Sequence, residues 1–109
     1  MDETLLVLTH LPDRDAALKL ARELVERRLA ACVNVLGQCT SVYRWKGAVE
    51  DAQEVPLLIK SRSALYEALE AAISELHPYE LPEIIAVPVV RGLADYLAWV
   101  GEGTSISIG

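Results

Sequence analysis

No stretch of the sequence approaches the roughly 20 consecutive apolar residues that a membrane-spanning helix needs. Membrane insertion by helices is therefore not expected. Basic residues are in short supply, with ten Lys and Arg against sixteen Asp and Glu and a formal net charge of -6. A surface of that sign repels phosphate backbones and anionic lipid heads. Nucleic acid and membrane surfaces are set aside as partners, and a cation becomes the more natural small one. Only two cysteines occur. With no CxxC and no His/Cys run at zinc spacing, metal-cage and redox-motif readings lack support. Cys32 and Cys39 lie seven positions apart in an extended segment. At ~3.3 Å per residue that is about 23 Å, against the ~7 Å a disulfide tolerates between Cα atoms. Only a turn at Leu36-Gly37 brings them together, so reduced thiols are the expectation. The opening MDETLLVL lacks the basic n-region of a signal peptide, and cytoplasm is the expected compartment. Gly-rich phosphate loops, nucleophile elbows, HExxH and Walker motifs are missing as well.

What is present suits one globular domain over residues 1–109, with 52% hydrophobic and 24% charged residues. Thr4 to Thr9 is a short apolar run of the buried-strand kind. Pro12-Asp13 marks a helix start, and Leu18, Ala21, Val25 and Leu29 follow at steps of three and four, widened by Ala17 and Leu24. Residues 31–61 read as two strands around a reversal at Lys46-Gly47, with a bend at Gly37 and an edge or bulge at Pro56. A second helix begins near Ser63 with Leu65, Leu69, Ala72, Ile73 and Leu76 on one face. His77-Pro78 ends it, since the residue before proline leaves helical space. Glu83 to Val90 reads as the last core strand, and Leu93 to about Val100 as a third helix. Residues 103–109 form a short tail in which Ile106 and Ile108 alternate as in an edge strand.

The order β-α-β-β-α-β plus a C-terminal helix predicts an α+β, ferredoxin-like fold, an antiparallel sheet with both main helices on one face. One short helix covers little of the other face, so oligomerisation through it is the physical expectation.

RLAACVNV, TSVYRWKG, EVPLLIKS, HPYELPEII and DYLAWV occur in that order. Together, from about Leu5 to Val100, they resemble the CutA family of divalent-cation tolerance proteins. The resemblance implies a homotrimer with long bent strands pairing across subunits, similar in architecture to the PII signalling proteins. It implies no enzymatic activity and no obligatory cofactor. For bacterial members it implies a part in tolerance to divalent metals, with copper or another divalent cation bound. The bacterial copper pattern has a cysteine at the end of the first strand and two adjacent histidines before Pro-Tyr. Thr9 and Leu76 occupy the cysteine and first-histidine positions here, and His77 alone matches. His10, beside Thr9, points to the opposite face by strand alternation.

The candidate site residues follow. His77 is the metal anchor, because imidazole suits copper and zinc. Its structural alternative is a helix-end side chain hydrogen-bonded to backbone. Cys39, beside a polar bend, is the more reachable thiol and the second metal-ligand candidate, and Cys32 reads as a small core residue. Tyr43 and Trp45 share one strand face, as packing or as an aromatic platform. The platform does not extend to nucleic acid, for the basic signature of RNA-binding sheets is missing. Glu54, Lys60 and Glu83 form ion pairs within the trimer, or meet His77 and Tyr79 in an intersubunit cleft. That cleft would bind a metal or a small metabolite, with any protein partner unknown. Catalysis would require those side chains within hydrogen-bond reach of one another.

Overall fold

The computed structural model of the chain describes residues 2–105, so the tail expectation at Ile106 and Ile108 lies outside the described residues. The elements are β1 (Thr4–Leu11), α1 (Arg14–Glu26), β2 (Cys32–Val35), β3 (Cys39–Trp45) and β4 (Ala48–Arg62). After them come a 3-10 turn (Ser63–Leu65), α2 (Tyr66–Leu76), β5 (Ile85–Pro88) and α3 (Ala94–Gly103). All strand pairs are antiparallel, in the order β2-β4-β1-β5, with β3 on β4. This is the ferredoxin-like arrangement with an added C-terminal helix.

β4 is the spine. Its second half, Val55–Arg62, lies against β1 and β2, while Ala48–Glu54 carries β3 as a hairpin that projects from the sheet. Lys46 (φ 49°) and Gly47 (φ 85°) make the reversal, and two successive positive φ values are those of a type I′ hairpin turn. The expected long first strand is broken at Leu36–Gln38 into β2 and β3. Pro56 is tolerated in mid-sheet because of that break. Its carbonyl accepts from Leu36 N at 3.0 Å, and its missing N–H faces the same side, where no ladder continues.

The core lies between one sheet face and the two main helices. Leu5, Val7 and Leu11 of β1 and Val55, Leu57 and Ile59 of β4 alternate inward. Asp13 caps α1 by accepting from Ala16 N at 2.8 Å. The buried stripe of α1 is Ala17, Leu20, Ala21 and Leu24. Leu20 belongs to it, whereas Val25 is 41% exposed. That stripe is rotated from the expected one because β2 is an outer strand. Beyond its edge Leu18 and Val25 share a shallow groove with Val33 and Val35 of β2. Leu65, Leu69, Ala72 and Ile73 are buried as expected, and Leu76 is not.

Glu83–Val90 is not a core strand. Only Ile85–Pro88 pairs, with β1 alone among the described residues, and all four residues are exposed at the sheet edge. α3 docks through Val100 and Thr104, both fully buried. Arg62 holds it there. Its Nε and Nη2 donate to Thr104 Oγ1 and to the Thr104 carbonyl, both at 2.9 Å, and its Nη1 donates to Asp2 Oδ2 at 2.7 Å.

Candidate functional site

The two-residue turn at Lys46-Gly47 sets the register of the hairpin, Trp45 opposite Ala48, Tyr43 opposite Glu50, Ser41 opposite Ala52 and Cys39 opposite Glu54. Directly opposed residues share a face, as do residues two apart on one strand. Tyr43, Trp45, Glu50 and Glu54 are therefore presented together. The Pro78–Glu83 loop, which bends at Tyr79–Leu81 between its two prolines, folds against that face and adds Tyr79, Glu80, Leu81 and Glu83. His10, at the end of β1, closes one side. The result is an open cleft of about 880 Å³.

Five of the six expected cleft residues, Tyr43, Trp45, Glu54, Tyr79 and Glu83, line this one space. Tyr79 donates its hydroxyl to Glu54 Oε2 at 2.8 Å. Burial, then the Glu54 carboxylate, pushes the phenol well above its ordinary pKa. His10 Nδ1 lies 3.5 Å from Glu83 Oε1.

Lys60 is the sixth, and this single chain does not bring it to the others. It points to the same side of β4 as Glu54 but six residues on, roughly 20 Å at strand spacing. There its ammonium meets Asn34 Oδ1 and, at 4.0 Å, Cys32 Sγ. Cys32 is thus half-buried on the sheet face away from the main helices, not in the core. Cys39, also half-buried, has its sulfur 3.9 Å from Ser41 Oγ. Both thiols are free, as expected.

His77 is built into the fold. It is 7% exposed, and both ring nitrogens are engaged. Nε2 donates to the His10 carbonyl at 2.7 Å, and Nδ1 accepts from Tyr79 N at 3.2 Å. This arrangement requires the neutral Nε2–H tautomer. Burial lowers the His77 pKa, outweighing the opposing backbone contact and the Glu54 charge. The donor set of the copper pattern does not fit an ion at this place. His77 has no free nitrogen, Leu76 offers none, and Thr9 faces the core with 0% exposure. Among the described residues no group of three or more His, Cys, Asp or Glu side chains is arranged to hold a metal. Nor does an acid–base cluster of His77, Lys60, Glu83 and Tyr79 assemble.

Among the ionisable lining side chains, His10, Glu50 and Glu80 are the ones that sequence reasoning missed as cleft residues. A signal for Glu50 existed, because a two-residue turn at Lys46-Gly47 pairs it with Tyr43. None existed for Glu80, whose position depends on how the loop folds back.

The fold and cleft together define a ferredoxin-like α+β protein with an acidic, aromatic ligand-sized site. The family model described as CutA1 divalent ion tolerance protein matches residues 5–103, and the chain belongs to that family. A divalent-cation tolerance protein CutA of Thermus thermophilus is 44% identical over 98 residues, 90% of this chain and 95% of that protein. The protein CutA homolog of Xenopus laevis is 50% identical over 91 residues, 84% of this chain. Protein CutA of Mus musculus is 47% identical over 93 residues, 85% of this chain. The chain spans 60% and 52% of the length of these two vertebrate relatives. The solved structure of the Thermus thermophilus protein superposes with a TM-score of 0.91 at 42% identity, covering 94% of this chain and 99% of that one. CutA from Xylella fastidiosa gives 0.92 at 42% identity with the same coverage.

Proposed function

We propose that the chain works as a non-enzymatic homotrimer in the response to divalent metal ions, with the acidic cleft as its ligand site. One observation carries the reading. Four glutamates, three aromatic rings and an imidazole line one cleft, and among the described residues the lining includes no Lys or Arg, although the Lys46 ammonium stands 5.6 Å from the Trp45 ring centroid. Such a space favours a cation. Trimer formation is supported by the apolar side chains left open, Val49, Ile85, Val87, Leu93 and Trp99 among them. It is supported too by the unpaired outer edges of β3 and β5.

For copper or another divalent cation, His10 and Glu83 are the available donors in place of His77. A neighbouring subunit would complete the set. Native mass spectrometry of the reduced protein with copper tests this. We expect a trimer whose metal uptake falls in His10→Ala and Glu83→Gln. A monomer, or uptake indifferent to both changes, refutes it.

The size of the cleft favours a second reading. A metal ion needs donors at about 2.0–2.6 Å, whereas this space suits a small molecule. A PII-like regulatory trimer would bind a metabolite there and dock on another protein. A thermal-shift panel separates the two, since this reading requires a response to a metabolite that metal salts do not give.

A further inference from the structure

We infer that the cleft takes an aliphatic polyamine, an inference that rests on the small-molecule reading of the site. Charge narrows the ligand first. A nucleotide or carboxylate metabolite would meet Glu50, Glu54, Glu80 and Glu83 with no Lys or Arg lining the cleft among the described residues. A polyatomic cation meets the opposite situation.

The rings narrow it further. Tyr43, Trp45 and Tyr79 offer electron-rich faces to alkylammonium groups and apolar area to methylenes. The chain itself shows that chemistry at the cleft, for the Lys46 ammonium lies 5.6 Å from the Trp45 ring centroid. Spacing completes the argument. The carboxylates do not converge on a point, as a metal requires. Glu50 and Glu54 are four residues apart on one strand, about 13 Å at strand rise. An extended triamine spans a comparable length, with a charge at each end and one between. Carboxylates and rings in one trough match a ligand in which ammonium groups and methylene segments alternate.

Calorimetric titration of the full chain with spermidine, and with propylamine as a single-charge control, tests the proposal. Spermidine should bind with an affinity that falls as salt rises, and propylamine at least about tenfold more weakly. Glu50→Gln/Glu80→Gln should weaken spermidine by about threefold or more. Both carboxylates are exposed and neither makes a side-chain hydrogen bond or ion pair among the described residues, so the fold and subunit mass should persist. Trp45→Ala should weaken binding by about two- to tenfold. Equal affinity in the glutamine variant, or equal binding of propylamine, overturns the polyamine assignment. Silence toward spermidine with a response to a neutral or anionic metabolite also overturns it, yet leaves the small-molecule reading standing. No response to any small molecule removes that reading as well.

Discussion

The imidazole of His77 donates to the main-chain carbonyl of His10 across 2.7 Å, tying the end of α2 to the end of β1. Its other nitrogen accepts from Tyr79 N, so one buried ring fixes the start of the loop that forms a wall of the cleft. Removing it leaves a carbonyl and an N–H without their partner. His77→Ala should cost about 1–3 kcal/mol, measured as a lower urea midpoint. An unchanged midpoint would show that the ring is dispensable to the fold.

A pH dependence accompanies that burial. The folded-state pKa of His77 lies below its ordinary 6.5, so between the two values the unfolded chain binds more protons than the native one. Stability should be complete above about pH 6.5 and decline as the pH falls below it. The wild type should lose more stability than His77→Gln between about pH 7.5 and pH 5. Parallel losses would assign the effect to other groups.

Tyr79 has the opposite sign. Its pKa is raised above 10 by burial and by Glu54, so above about pH 10 the unfolded chain releases a proton that the native one keeps. Its contribution is present below pH 10 and disappears as the pH rises through the higher native value. Tyr79→Phe should flatten the alkaline limb of the stability curve. At neutral pH it should cost about 1–3 kcal/mol for a bond to a charged acceptor. An ultraviolet titration in which all four tyrosines ionise together near pH 10 would contradict this.

Thr9 Oγ1 is buried with no hydrogen-bond partner among the described residues. Valine has nearly the same shape and removes the unpaired hydroxyl. Thr9→Val should therefore stabilise the chain by about 1–2 kcal/mol, seen as a rise in Tm. A fall in Tm would mean that the hydroxyl has a partner in the assembled protein.

Arg62 and Thr104 bind α3 to the sheet through two hydrogen bonds, and Thr104 Oγ1 also donates to Val100 O at 2.8 Å. Thr104→Val leaves Arg62 Nε unpaired. Amide exchange should accelerate across Ala94–Gly103 ahead of the core, with a cost of about 1–3 kcal/mol. Uniform acceleration would make α3 part of the global unfolding unit.

Much of this was legible along the chain, because local chemistry governs it. Asp13 caps α1 through a contact three residues away, Lys46-Gly47 turns the hairpin, and His77-Pro78 stops α2. Given that turn, strand alternation already brings Tyr43 and Trp45 to the face that carries Glu54. An imidazole before a proline reads either as a metal ligand or as a helix-end side chain hydrogen-bonded to backbone; the ring is on backbone, but its partner is a carbonyl 67 residues distant in sequence. Glu83 was expected at the head of a core strand. It lines the cleft instead because β5 is short and lies at the edge.

The sequence by itself determined the element order, the hairpin register and the acidic balance, since each follows from spacing, turn residues or charge. Tertiary structure decided what those elements meet. β4 is shared between sheet and hairpin, which separates Lys60 from Glu54 by strand rise. The Pro78–Glu83 loop folds over the hairpin face, which turns a row of alternating side chains into a cleft. Burial then converts His77 from a free donor into a structural tie. The last two are contacts between residues far apart in the chain, and periodicity carries no information about such contacts.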